Sequence, residues 1–153
     1  MNASKLITNQ TLYDRDYYLW LENTRKQLQD RDLNALDWEH LIEEVEALGN
    51  EQRRKVDSYL RQLLIYLLLL RYWEKEKALC AKGWQDEIDN FRYELELLFR
   101  SKTLYNYFLQ EIEVIYPKAR KKAIFKTELP STIFPDICPF TAEQILDSDY
   151  FPE

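Results

Sequence analysis

DWEHLIEEVEALGNEQRRKVDSYLRQLLIYLLLLRYWEKE, residues 37–76, decides the fold. Its first part sets Trp38, Leu41, Ile42, Val45 and Leu48 on one stripe at helical spacing, with Asp37 ahead of them as an N-cap. Gly49 follows the last apolar position, where a left-handed C-terminal cap is expected. Asn50 can then cap a second helix that runs to about Glu76. Between Leu63 and Leu70 that helix is apolar on nearly every face, the pattern of a central helix with neighbours on several sides. Arg61 and Arg71 bracket the run, which is far shorter than the roughly 20 residues of a membrane span. The expectation is a core helix in a soluble protein.

Upstream, a helix is expected from about Asp14 to Gln29, with Tyr13, Tyr17, Trp20, Leu21, Thr24 and Leu28 recurring at helical spacing. Downstream, a fourth helix after Gly83 carries Trp84, Ile88, Phe91, Leu95 and Leu98. A fifth begins near Ser101 or Thr103 and runs through Leu104, Phe108, Ile112 and Ile115. Pro117 should either break it or open a continuing helix with Ala119 and Ala123. After Lys126 the composition shifts, with four of the five prolines between Pro130 and Pro152. This segment should strap across the helices in extended form, held by Ile133, Phe134, Ile137 and Phe140. Thr141 and Gln144 make a capping-box pattern for a last short helix, Ala142 to Asp147. The fold class is therefore all-α: a compact five- to six-helix bundle with a Pro-rich extended C-terminal tail ending in a short helix. Residues 1–12 are read as a loose arm and 13–153 as one helical domain, with 127–153 packed on the bundle.

Composition narrows the functions. A chain of 153 residues is long enough for one domain that buries roughly 70% of its unfolded surface without a disulfide or metal staple. Only Gly49 and Gly83 exist, so neither a dinucleotide fingerprint nor a phosphate-cradling P-loop can be written. Cys80 and Cys138 match no zinc spacing and are expected as reduced thiols in a cytoplasmic protein. A net charge of −6 disfavours nucleic acid or an anionic membrane as the main partner.

Several segments together resemble a bacterial family, domain of unknown function 29, frequent in cyanobacteria. They are Tyr13-Asp14 with Tyr17 and Trp20, Leu36-Asp37 with Leu41 to Glu46 and Gly49, and Tyr116 with Ala119-Arg120. The closing run Phe134-Pro135, Cys138-Pro139-Phe140-Thr141, Gln144-Ile145-Leu146 and Phe151-Pro152 is the most specific. The resemblance implies an α-helical fold in a bacterial cytoplasm and brings no catalytic residues.

Two clusters could carry chemistry. On the second helix, Glu39, Glu43 and Glu46 fall on one flank of the apolar stripe, with Glu44 and His40, the only histidine, on the other. Glu43 and Glu46 are the pair that could bind a divalent metal, since magnesium needs only one or two carboxylates besides water and substrate phosphate. Glu43-x-x-Glu46 resembles half of the carboxylate signature of all-α nucleoside triphosphate pyrophosphatases of the MazG type. The second half is missing at the right distance, because Asp86-x-x-Asp89 lies beyond the long third helix. The competing account pairs the acidic flank with Arg53, Arg54, Lys55, Arg61 and Arg71, and leaves His40 solvated. The other cluster is basic: Lys118, Arg120, Lys121 and Lys122, continued by Lys126, either a solvated helix end or an electrostatic patch.

Tyr66, Tyr72, Trp73, Trp84, Tyr105, Tyr107 and Tyr116 cannot all enter one small core, so some aromatic surface is expected to be exposed and available for binding. A non-enzymatic protein–protein interaction or regulatory module, with no cofactor and a partner that is another protein or a second copy, is favoured on these grounds. A divalent-metal-dependent hydrolase of small phosphorylated substrates is the competing expectation.

Overall fold

The structure is a computed structural model and describes residues 12–153. The loose arm expected over 1–12 lies almost wholly outside them. All regular structure among the described residues is helical. A turn of helix over 12–15 leads into α1, Tyr17–Gln29, and α2 follows as Trp38–Tyr72. Then come α3, Glu74–Leu98, and α4, Lys102–Thr127. A 3₁₀ turn, Ser131–Ile133, and α5, Ala142–Leu146, close the chain. The chain divides into two compact units, one up to Asn50 and one from Glu51 to Glu153.

Several helix ends fall where side chains dictate. Asp16 Oδ1 accepts from the Leu19 N–H at 3.0 Å and starts α1. Asp37 Oδ1 accepts from the His40 N–H at 3.3 Å and starts α2. Ser101 caps α4 through the Leu104 N–H, and Thr141 with Gln144 forms the full capping box of α5. Each cap of this kind contributes about 1 kcal/mol.

Neither glycine ends a helix. Gly49 lies inside α2, which runs 35 residues without a break, and Gly83 lies inside α3. Neither has positive φ, and a Cβ at either would meet nothing within 4 Å. A helix-interior glycine costs about 1 kcal/mol relative to alanine, which flanking helix formers such as Glu44, Glu46, Ala47 and Leu48 absorb. The real break is at Trp73, between α2 and α3, a residue with no side-chain cap whose ring stacks on Trp84 at 5.7 Å. Pro117 neither breaks nor starts a helix; it is an interior residue of α4. That helix ends on Glu128 in a left-handed conformation, a role usually taken by glycine.

In the second unit the Leu63–Leu70 run is the centre of the core. Leu63, Leu64, Leu67, Leu68 and Leu69 are fully buried, and Ile65 and Leu70 nearly so. Ile88 and Leu95 of α3 and Phe108, Ile115 and Tyr116 of α4 pack in the same cluster. Each such side chain contributes about 1.5–3 kcal/mol on burial.

The Pro-rich segment straps this bundle, by partly different anchors from those expected. Phe134, Phe140 and Ile145 are buried, whereas Ile133 and Ile137 are exposed. Two arginines do the rest. Arg92 of α3, itself buried, donates to the carbonyls of Ile145, Gln144 and Tyr150 and stands over the Phe151 ring. Arg120 of α4 donates to the carbonyls of Phe134 and Ser131. Tyr116 adds a hydrogen bond to the Pro135 carbonyl.

Candidate functional site

In the first unit, α1 packs against the start of α2 on its polar flank. At about 100° per residue, Asp37, His40 and Glu44 share one side of α2, and Tyr13, Tyr17 and Trp20 meet them there. Tyr13 donates to Glu44 Oε1 at 2.6 Å, and Tyr17 donates to Oε2 of the same carboxylate. Trp20 Nε1 donates to Asp37 Oδ2 at 3.3 Å. His40 Nδ1 lies 2.6 Å from that same oxygen, and its ring stacks on Tyr13 with centroids 3.9 Å apart.

His40 is therefore not a solvated surface residue, as the sequence suggested. Its side chain is 17% exposed and that of Asp37 only 3%. Burial pulls the imidazole pKa down, but the hydrogen bond to Asp37 and the charges of Asp37, Glu43 and Asp14 outweigh it and leave it raised. The two tyrosine hydrogen bonds, aided by the charge of His40, hold Glu44 below its ordinary value against burial. The reciprocal effect of Glu44, with burial, pushes Tyr13 up to about 12. This cluster of two acids, one histidine and three aromatic rings is a polar lock between helices.

Because α1 occupies the polar flank, the apolar stripe of α2 is left uncovered. Trp38, Ile42, Val45 and Leu48 are 51%, 56%, 61% and 68% exposed. Further along α2 the same helical stripe continues through Val56, Leu60, Leu63 and Leu67, all fully buried. The sequence pattern was a correct guide to a helix and a wrong guide to which part of its face is covered.

Glu39, Glu43 and Glu46 lie exposed along the other edge of α2, and the charge of Glu43 still reaches His40 of the lock. Among the described residues, no three His, Cys, Asp or Glu side chains come together as metal ligands would. Two of the arginines expected as their partners have other contacts. Arg54 pairs with Glu51 at 3.8 Å, and Arg53 stands over the Tyr107 ring at 5.3 Å.

The basic segment of α4 is split by the structure. Arg120 belongs to the tail strap and pairs with Asp136 at 3.3 Å. Lys118, Lys121 and Lys122 instead line a cavity in the second unit, together with Arg54, Asp57 and Arg61 of α2. Lys126 turns to the Tyr66 ring. The α2 contribution was missed in the sequence, although Arg54, Asp57, Ser58 and Arg61 recur at the i, i+3, i+4, i+7 spacing that puts them on one face.

The aromatics also sort differently from expectation. Trp84 and Tyr116 are buried, and Tyr66, Tyr72, Trp73, Tyr105 and Tyr107 pack half-buried around the core. The exposed rings are Tyr17, Tyr18, Trp38, Tyr93 and Phe125. Among the described residues, no helix is long and apolar enough to cross a membrane.

These features define an all-helical bundle protein with a locked helix pair, an uncovered apolar stripe and an arginine-strapped tail. The chain belongs to the family described as Domain of unknown function DUF29, which matches residues 12–151. No curated protein and no solved structure matches it.

Proposed function

We propose that this protein is a non-enzymatic protein–protein interaction module that docks a partner helix on the first part of α2. The observation that carries the reading is the exposed stripe Trp38, Ile42, Val45 and Leu48. Single exposed apolar residues are ordinary, but four in register on one helix make a contiguous patch of the kind that marks interaction sites. With Leu41, the residues Trp38, Val45 and Leu48 fall at heptad a and d spacing, the pattern that receives a second helix.

Charge selects the partner. Glu39, Glu43 and Glu46 run along one edge of the stripe, so a helix with an apolar face and a lysine- or arginine-rich edge is complementary. An antiparallel second copy would set these carboxylate edges against each other, which costs rather than gains. The two cysteines, both unpaired, suit the reducing cytoplasm of a bacterial cell, where we place the module.

The test is titration of the protein with a synthetic amphipathic Leu/Lys helix, read by fluorescence anisotropy, beside a Leu/Glu helix of the same length. Saturable binding of the first that is lost in the Val45→Glu, Leu48→Glu variant supports the docking face. Equal binding of both peptides, or binding unchanged by the two substitutions, overturns it.

A further inference from the structure

The second unit holds a cavity of about 640 Å³ between one face of α2 and one face of α4. Its size falls within the few hundred to roughly 1,000 Å³ of small-molecule sites. Arg54 and Arg61 come from α2, and Lys118, Lys121 and Lys122 from α4. Five cations thus converge around one carboxylate, Asp57, in a protein whose net charge is −6. Like charges held together repel, and an acidic protein has carboxylates to spare. Yet among the described residues Arg54 alone of the five has an ion pair, a long and exposed one to Glu51, and Lys122 stands over the Phe125 ring at 5.3 Å. The gathered charge is therefore left for something outside the chain.

Two further features narrow the occupant. Ile115 and Phe125 give the cavity apolar walls, and Phe125 is 76% exposed. On the α2 side, Asp57 Oδ1 and Arg61 Nε are buried without a hydrogen-bond partner. Asp57 Oδ2 is already taken by the Tyr107 hydroxyl at 2.9 Å. Buried acceptors and donors left unpaired are costly to a fold. A hydroxyl group can donate to a carboxylate oxygen and accept from a guanidinium N–H through one and the same atom.

The cavity's shape favours a small molecule over a polymer, since a groove that tracks a nucleic-acid backbone needs an extended basic path and aromatic platforms along it. The other large cavity, of about 870 Å³, is no rival. Asp89, Glu96, Asp147 and Asp149 line it against only Arg92 and Arg100, so it gathers no excess of positive charge.

We propose that the cavity between α2 and α4 binds a small organic polyphosphate that carries hydroxyl groups, of the nucleoside or sugar phosphate class. The phosphoryl oxygens meet Arg54, Lys118, Lys121 and Lys122, where arginine offers a planar fork and lysine a point charge. The hydroxylated ring faces Asp57 and Arg61, and Phe125 covers its apolar side. This site is independent of the docking face on the first part of α2.

Isothermal titration calorimetry of the full chain tests it, with ATP, fructose 1,6-bisphosphate, tripolyphosphate and a single-stranded oligonucleotide as probes at constant ionic strength. Saturable one-to-one binding of ATP or of the sugar bisphosphate is expected, with tripolyphosphate weaker by about tenfold for want of hydroxyls. The Lys118→Ala, Lys122→Ala variant should weaken the bound ligand by at least about tenfold, and the Lys82→Ala control should leave it unchanged. All three lysines are exposed, so the variants keep the fold, which a thermal melt verifies. Preference for ATP over the sugar bisphosphate, or the reverse, assigns the ligand's source. No saturable binding of either overturns the proposal. So does tripolyphosphate or oligonucleotide binding as tightly as both, or an equal loss in Lys82→Ala.

Discussion

The Asp37 carboxylate holds His40 twice: one oxygen accepts from the backbone N–H that starts α2, and the other lies 2.6 Å from the imidazole Nδ1. A helix cap and a charge pair are thus one group, and Trp20 of α1 donates to it as well. Local sequence geometry, three residues apart, fixes the ring that α1 then covers.

That coupling makes stability depend on pH with a definite sign. The folded-state pKa of His40 is raised, so its contribution is present in full below the unfolded value of about 6.5. It is lost as pH rises through the folded value. Asn caps a helix as well as Asp does, so Asp37→Asn removes the charge and keeps the cap. Urea unfolding of wild type and Asp37→Asn should show a stability gap that is wider at about pH 6 than at about pH 8.5. A gap constant across that window would show that His40 gains nothing from the carboxylate's charge.

The two helix-interior glycines should be improvable. Gly49 and Gly83 have helical neighbours, negative φ and open space around the missing Cβ. Alanine at either is expected to stabilise the protein by about 0.5–1 kcal/mol, measured by denaturant midpoint at unchanged slope. A loss on Gly49→Ala would mean that α2 bends at that residue in solution.

Exposed and buried parts of one stripe should answer oppositely to substitution. Val45→Glu is expected to change the stability of the isolated protein by no more than about 0.5 kcal/mol. Leu63→Ala, at a fully buried position of the same stripe, should cost about 2–5 kcal/mol. Chemical denaturation of both variants checks the pair, and a severe effect of Val45→Glu would show the stripe to be covered.

Arg92→Lys should be nearly as damaging as Arg92→Ala. The guanidinium reaches three tail carbonyls from two different nitrogens, a fork that one ammonium cannot reproduce. Hydrogen bonds to charged groups contribute about 1.5–3 kcal/mol each, and buried carbonyls left unpaired add to the loss. Limited proteolysis should cut the tail of both variants first. Arg120→Ala should do less, because Arg120 holds two tail carbonyls rather than three and solvent screens its pair with the 95% exposed Asp136.

The helices, the caps at Asp37 and Thr141, the helix start near Ser101 and the central leucine run were all legible, because each rests on local spacing or on a side chain bonding its own helix start. The unbroken α2 and α3 were not. Gly49 and Gly83 invite a break, and the lost propensity is smaller than the gain from helix formers and packing on both sides. Trp73 gives no local signal of a boundary. The site was half legible. Helical phase put His40 and Glu44 on one side and the acidic edge on another, but amphipathicity cannot say which side a neighbour takes. Here α1 and the turn before it bring Tyr17 and Tyr13 to the polar flank, so hydrogen bonding to Glu44 and not burial of Val45 decides the packing. The basic cavity was hidden because its two halves lie on separate helices, and only tertiary structure sets Arg61 beside Lys118.

The arginine strap imposes an order on the making of the protein. Arg92 finds its acceptors 52 to 58 residues further along the chain, so a nascent chain that has been made only as far as Thr127 has the guanidinium and none of its carbonyls. Until residues 144–150 exist, the charge can keep its free energy low only by staying in water, which holds its part of α3 away from a dry contact. The helices can form as they are synthesised, but this side of the bundle stays open until the tail arrives. A truncated product ending between α4 and α5 would therefore display the uncovered surface under Phe134, Phe140 and Ile145, the feature by which quality-control proteases and chaperones recognise an unfinished chain.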